Sequence, residues 1–288
     1  MVQKKRWTLV FFAIPTLLFY FYFFISPLAN TFIVSFFEWD GLSEQIFNGI
    51  NNYIQLLQDP IFYSALWNTI YWVILVLLVQ IPIAFFLAYF LYQKVKGFRL
   101  LRTVYFIPVV TSSVAISLAF TFIYNPQFGI LNTFLDMIGL GNLTTDWLAD
   151  PSTAVTAVAL PFVWQFIGLM MIILYSGLQS IPEELIEAGE VDGVNAVQKI
   201  IYIILPSMKP VLAMCLILAI TYAFKQFDYV LLLTGGGPVY LTEVSGSYMY
   251  NQGFSENNFG YGNAIAVAMI FIVVIISFFI NKLFKTDE

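Results

Sequence analysis

The stretch SIPEELIEAGEVDGVN, residues 180–195, decides how this chain is read. Five of its seventeen acids, Glu183, Glu184, Glu187, Glu190 and Asp192, fall in that stretch, although 60% of the 288 residues are apolar and 10% charged. A mean hydropathy of +0.84 places the chain among membrane proteins. Carboxylates this dense do not sit in hydrocarbon, so the stretch divides two membrane-embedded parts.

Outward from it, the runs 7–37, 60–93, 103–135, 151–182, 210–224 and 257–281 carry no Lys, Arg, Asp or Glu. Most exceed the ~20 residues that a helix needs to cross a bilayer. The fifth continues mostly apolar past Lys225 and Asp228 to Leu233. None alternates with the two-residue period of a barrel strand. The expectation is an all-α membrane protein of six transmembrane helices in one domain covering 1–288. The spans lie at about 7–35, 62–92, 103–124, 153–176, 207–231 and 260–281. The first run is too long for the ~7–15-residue core of a secretory signal, so it reads as a retained span broken near Pro27.

Charge gives the orientation. Lys4, Lys5 and Arg6 precede span one; Lys94, Lys96, Arg99 and Arg102 separate spans two and three; Lys199 and Lys209 separate four and five; Lys282 and Lys285 follow six. The alternate loops hold Glu38, Asp40, Glu44, Asp59, Asp136, Asp146, Asp150, Glu243 and Glu256 instead. The positive-inside rule puts both termini and the 180–206 element in the cytoplasm.

Within that element Ser180 and Glu183 have capping-box spacing, with Pro182 in the first turn and Glu183 and Glu184 at the positive end of the helix dipole. Leu185, Ala188, Gly189 and Asp192 share a face, beside a strip of Glu183, Glu187 and Glu190. Asp192-Gly193 ends the helix, and Asp192 caps a second amphipathic helix from Val194 to about Ile203, closed by Leu205-Pro206. A charge run of this kind usually marks a solvated face. The smooth patch at Ala188 and Gly189, beside a carboxylate, instead suits close approach by a partner carrying Arg, Lys or helix N-termini.

The chemistry is limited. There is no His and a single Cys, Cys215, which excludes an intrachain disulfide, a Cys/His metal site and any triad that needs His. The only Gly-rich run, Gly235-Gly236-Gly237-Pro238, lacks the Lys of a phosphate-binding loop and reads as a tight turn leaving the membrane. The chain therefore binds no cofactor of its own, and any ATP is handled by another polypeptide. Polar residues inside spans stand out: Tyr222, Lys225, Gln226 and Tyr229 fall on one face of span five, with Asp228 three residues from Lys225, and span four carries Gln165 and Leu169 beside Gly168. Such a face offers the aromatic area and hydrogen-bonding groups that a sugar needs. The structural reading of the same residues is a Lys225–Asp228 ion pair and an interhelical hydrogen bond from Gln165.

Glu187-Ala188-Gly189, two residues, Asp192-Gly193, eleven residues and Leu205-Pro206 resemble the EAA signature of binding-protein-dependent ABC permeases, with Gly189, Val194 and Ile200 where that family usually has Ala, Ala and Phe. Phe47-Asn48-Gly49-Ile50-Asn51-Asn52-Tyr53, then Pro108 with 125–132 (NPQFGILN), then Phe224-Lys225-Gln226-Phe227-Asp228-Tyr229 with 234–238 (TGGGP) are similar to patterns of its carbohydrate-uptake branch. The resemblance implies that Glu187, Ala188, Gly189, Asp192, Gly193, Leu205 and Pro206 form coupling helices docking on an ATPase. It implies that Gln165, Leu169, Tyr222 and Gln226 line a sugar pathway, to which the span-five face adds Lys225, Asp228 and Tyr229. It further implies a second homologous permease, two ATPase subunits that hold ATP and Mg, an extracytoplasmic solute-binding protein, a carbohydrate substrate and a bacterial or archaeal cytoplasmic membrane, with no nucleic acid. Two other readings stay open on the residues alone. A secondary transporter or channel would use Lys225 and Asp228 as a charge relay, and a membrane scaffold would tolerate Ala at Gln165 and Gln226.

Overall fold

Residues 13–93 and 96–284 of the computed structural model are described, and they are predominantly helical. Four helices are long and apolar enough to cross a membrane: α1 (Ala13–Val34), α3 (Pro60–Tyr92), α7 (Ala154–Gln179) and α13 (Phe259–Leu283). Two bent pairs pass the same test, α4 (Phe98–Val110) with α5 (Ser113–Ile123), and α9 (Ala196–Ser207) with α10 (Lys209–Lys225), which brings the count to between four and six. The shorter helices are α2 (Asn51–Gln58), α6 (Ile130–Met137), α8 (Glu183–Val191), α11 (Asp228–Leu233) and α12 (Ser245–Tyr250). Lys4, Lys5, Arg6, Lys94, Lys285 and the first residues of span one lie outside the described residues.

Proline shapes these helices without always breaking them. π turns at Phe21–Ile25, Val76–Gln80 and Lys199–Ile204 each end two residues before a proline: Pro27, Pro82 and Pro206. The ring removes one N–H and crowds the preceding turn, and widening that turn absorbs the misfit. The expected break near Pro27 is therefore a π turn inside a continuous helix. Pro108 and Pro161 are carried inside α4 and α7.

The chain divides into two compact units. The first joins Met1–Pro60 with Met249–Ile270. An all-helical reading misses its one sheet, a two-stranded antiparallel ribbon of β1 (Phe37–Glu38) and β2 (Ile46–Phe47). Asp40 folds the connection by accepting from the backbone N–H of Ser43 (2.7 Å) and Leu42 (2.9 Å) and from the Ser43 hydroxyl, and these bonds hold its carboxyl down at about 2. Asn52 donates to the carbonyls of Ser35 and Phe37, both at 2.9 Å, tying α2 to the end of α1.

The second unit joins Ile61–Tyr248 with Phe271–Glu288 and contains a continuous core of Trp72, Phe162, Met170, Leu174, Leu178, Ile204, Met208 and Tyr229. Trp72 and Phe162 stack with centroids 5.8 Å apart. α7 is the central element, packed by α3, α4 and α10. Gly168 lets α4 in: a Cβ there would meet the backbone carbonyl of Tyr105. The loop after TGGGP is held from inside, because the amide of Asn68 on α3 donates to the carbonyls of Leu241 and Glu243, both at 2.8 Å.

Span three is not straight. α4 and α5 meet at 95°, with Thr111 extended and Ser112 capping α5 by accepting from the N–H of Ala115. α9 likewise meets α10 at 77°, and α10 stops at Lys225, where Gln226 is extended, before α11 resumes. Gly246 on α12 sits against this second stop, and a Cβ there would meet the carbonyls of Gln226 and Phe224.

Candidate functional site

Two groups of residues matter, and both lie in the second unit. The first is the 180–206 element. α8 starts after Pro182, its N-cap, and no side chain caps it. The expected Ser180–Glu183 capping box does not form, because α7 runs on to Gln179, and the Ser180 hydroxyl donates to the Gly177 carbonyl (2.7 Å) at its end. Glu183 and Glu184 occupy the first turn of α8 as expected. Gly193, at φ 77°, makes the turn. The cap of the next helix is Asn195 rather than Asp192: Asn195 accepts from the N–H of Gln198, and the Gln198 side chain accepts from the N–H of Asn195, a full capping box. The second helix runs to Ser207, with Leu205 and Pro206 in its last turn rather than beyond it.

Glu187, Ala188, Asp192, Gly193 and Pro206 are exposed, and Leu205 is half-buried. Gly189 is buried, packed toward Ile203, so it shapes the element from inside and is not part of an outer smooth patch. Lys199 reaches Glu190 at 2.5 Å, the one ion pair among the described residues. Sequence reasoning passed over the exposed apolar side chains here, Val191 at 88%, Val197 at 63% and Tyr202 at 71%. The available signal was three large apolar residues that the helical core pattern leaves unused.

The second group gathers where the two broken spans meet α7. Gln165 is 6% exposed; its amide N–H donates to the Thr111 carbonyl (2.8 Å), and its oxygen accepts from the Tyr229 hydroxyl (2.6 Å). Asp228 accepts from the Ser113 hydroxyl at 2.9 Å. Lys225 and Asp228 form no ion pair among the described residues, and Lys225 is exposed. Tyr222 is 37% exposed and stacks on Phe166 with centroids 5.3 Å apart. Leu169 lines a separate cavity of about 710 Å³, with Phe98, Arg99, Arg102, Thr103, Phe106 and Ile172.

The single helical face expected for Tyr222, Lys225, Gln226 and Tyr229 does not exist, since the helix stops between Lys225 and Asp228. The structure brings together Gln165, Tyr229, Thr111 and the Ser113–Asp228 pair, and leaves Tyr222, Lys225 and Leu169 outside that hydrogen-bonded cluster. Thr111 and Ser113 were missed, although Thr-Ser-Ser after Pro108 is a recognisable helix-breaking cluster. The arrangement is polar, main-chain-rich and placed at the interruptions of two spans. Discontinuous transmembrane helices build transporter sites in the same way.

The fold and the sequence both have known counterparts. The crystal structure of a bacterial alginate ABC transporter in complex with alginate pentasaccharide-bound periplasmic protein contains a chain that superposes with TM-score 0.83 at 22% identity, covering 99% of this chain and 98% of that one. The probable ABC transporter permease protein YurN of Bacillus subtilis is 36% identical over 100% of this chain and 99% of its own length. The multiple sugar-binding transport system permease protein MsmF of Streptococcus mutans is 34% identical over 100% and 98%. Residues 80–285 match the family described as binding-protein-dependent transport system inner membrane component. With its interrupted spans, its folded acidic element and a family match over more than half its length, the chain belongs to the binding-protein-dependent transport system inner membrane components.

Proposed function

We propose that this chain is one of two pore-forming permeases in an ATP-driven carbohydrate importer. The likeness to a multiple sugar-binding system permease supports the substrate class, and the likeness in fold to an alginate transporter chain agrees with it. With the bent α4–α5 pair as one span and α10 as another, six spans run with both termini and the 180–206 element in the cytosol of a bacterial or archaeal cell, as the Lys and Arg distribution indicates.

The observation that carries the reading is the 180–206 element itself. It is locally folded by its own turn, cap and ion pair, and it presents Glu187 and Ala188 beside exposed Val191, Val197 and Tyr202. Several exposed apolar side chains on one short, otherwise acidic element suit a surface that a partner covers. The partner is an ATPase subunit, which binds ATP and Mg while this chain binds no cofactor. Glu187 makes the docking contact and Gly193 the turn, with Ala188, Gly189, Asp192, Leu205 and Pro206 shaping the element.

Gln165, Leu169, Tyr222, Lys225, Gln226, Asp228 and Tyr229 form this chain's share of the pathway, joined by Thr111 and Ser113. A second homologous permease supplies the rest, a second ATPase completes the motor, and an extracytoplasmic solute-binding protein delivers the carbohydrate. ATP-driven closure of the ATPases moves the element as a lever, and the inward- and outward-facing states exchange because partner and solute contact them differently.

Glu187→Arg tests the docking role. It should abolish co-purification of the ATPase subunits while the chain still inserts in the membrane; normal co-purification would remove the docking assignment.

A further inference from the structure

We propose that Lys199 is a positioning residue for coupling: it locks the two arms of the 180–206 element so that motion at the ATPase surface reaches the membrane helices undiminished. The inference rests on the coupling role proposed for that element.

The two arms, α8 and α9, join through Gly193, a residue with little conformational preference at φ 77°. A lever jointed there would flex. Three contacts oppose flexing. Gly189 admits Ile203, since a Cβ at 189 would overlap the Ile203 side chain. The Asn195–Gln198 box fixes where the second arm starts. Lys199 and Glu190 close the open side at 2.5 Å, nine residues apart across the turn. The box is local to the second arm, whereas the Gly189–Ile203 fit and the ion pair both cross the turn, and the ion pair is the polar link between the end of α8 and the start of α9.

The surroundings show why this link is set apart from surface ion pairs in general. The Lys199 side chain is only 19% exposed, against 59% for Glu190. Lys199 lines a cavity of about 330 Å³ between the element and the end of α3, with Tyr89, Tyr92, Gln93, Glu183, Ile186, Glu190 and Ile204. A cavity thus lies between part of the element and the end of α3, while fully buried Ile204, with Ile186, Ile200 and Leu205, seats the element on the core. A gap beneath one side and a fixed seat on the other let a rigid body rock. A hinged body would spend the same displacement closing on itself.

The test uses the assembled transporter in proteoliposomes with its binding protein, reading solute transported per ATP hydrolysed. Lys199→Gln should leave ATPase co-purification intact and lower that ratio by at least about fivefold, the low end of typical coupling between sites. Lys199→Arg should restore it, as should the exchange Lys199→Glu with Glu190→Lys. An unchanged ratio in Lys199→Gln would overturn the proposal. So would loss of ATPase co-purification in that variant, which would make Lys199 a docking residue. Failure of the unmutated chain to co-purify with any ATPase would instead refute the coupling reading beneath it.

Discussion

At the scale of single residues, Gln165 is the most informative side chain. It is a buried amide using its donor on Thr111 and its acceptor on Tyr229, so each partner depends on it. Gln165→Leu strands the Tyr229 hydroxyl and should cost about 1–3 kcal/mol. Tyr229→Phe strands only the amide oxygen and should cost less; coupling within membrane bundles averages about 0.6 kcal/mol. Thermal unfolding in detergent, run as a double-mutant cycle, checks both. A loss of uptake in Tyr229→Phe much larger than its thermal shift would separate a pathway role from a structural one. Gln165 and Tyr229 were recognisable in sequence as costly polar residues in apolar runs. Their partnership was not, because a position on a helix says nothing about which carbonyl a neighbouring helix leaves free.

Among the elements, the breaks decide the architecture. Long helices followed from charge-free runs, because hydrocarbon penalises charge and requires backbone groups to bond within their own helix. The stop at Gln226 followed from nothing local. Gly246, twenty residues later, packs on the Gln226 carbonyl there. Gly246→Ala therefore places a methyl against main chain that cannot rotate away. It should destabilise by about 1–3 kcal/mol, the range for overpacking a close contact, with a lowered unfolding temperature as the readout. The bend in span three was more legible, since Pro108 and Thr-Ser-Ser announce it, yet a continuous apolar run of adequate length masked the signal.

Across the whole molecule, the proposed orientation rests on eleven of the twelve basic residues, Lys225 being the one left over, whereas the turn-and-cap detail of 180–206 was misread because two caps of similar chemistry, Asp192 and Asn195, compete three residues apart. Single-cysteine labelling is straightforward here, since the native Cys215 is fully buried. Val191→Cys should react with a membrane-impermeant maleimide only from the cytosolic side, and Leu42→Cys, at a position 96% exposed, only from the opposite side. Labelling of both from one side would overturn the proposed topology, and labelling with the two sides exchanged would invert it.

The extended peptide at Gln226 carries one more implication. Where a span unwinds, the hydrogen-bonding groups on offer belong to the chain's spine, and no substitution other than proline deletes them. A solute that grips those groups would be recognised by the shape of the trace instead of by side-chain identity. Variants selected for a new cargo should then accumulate around the kink, at residues such as Gly246 that set its course, in preference to replacing the glutamine itself.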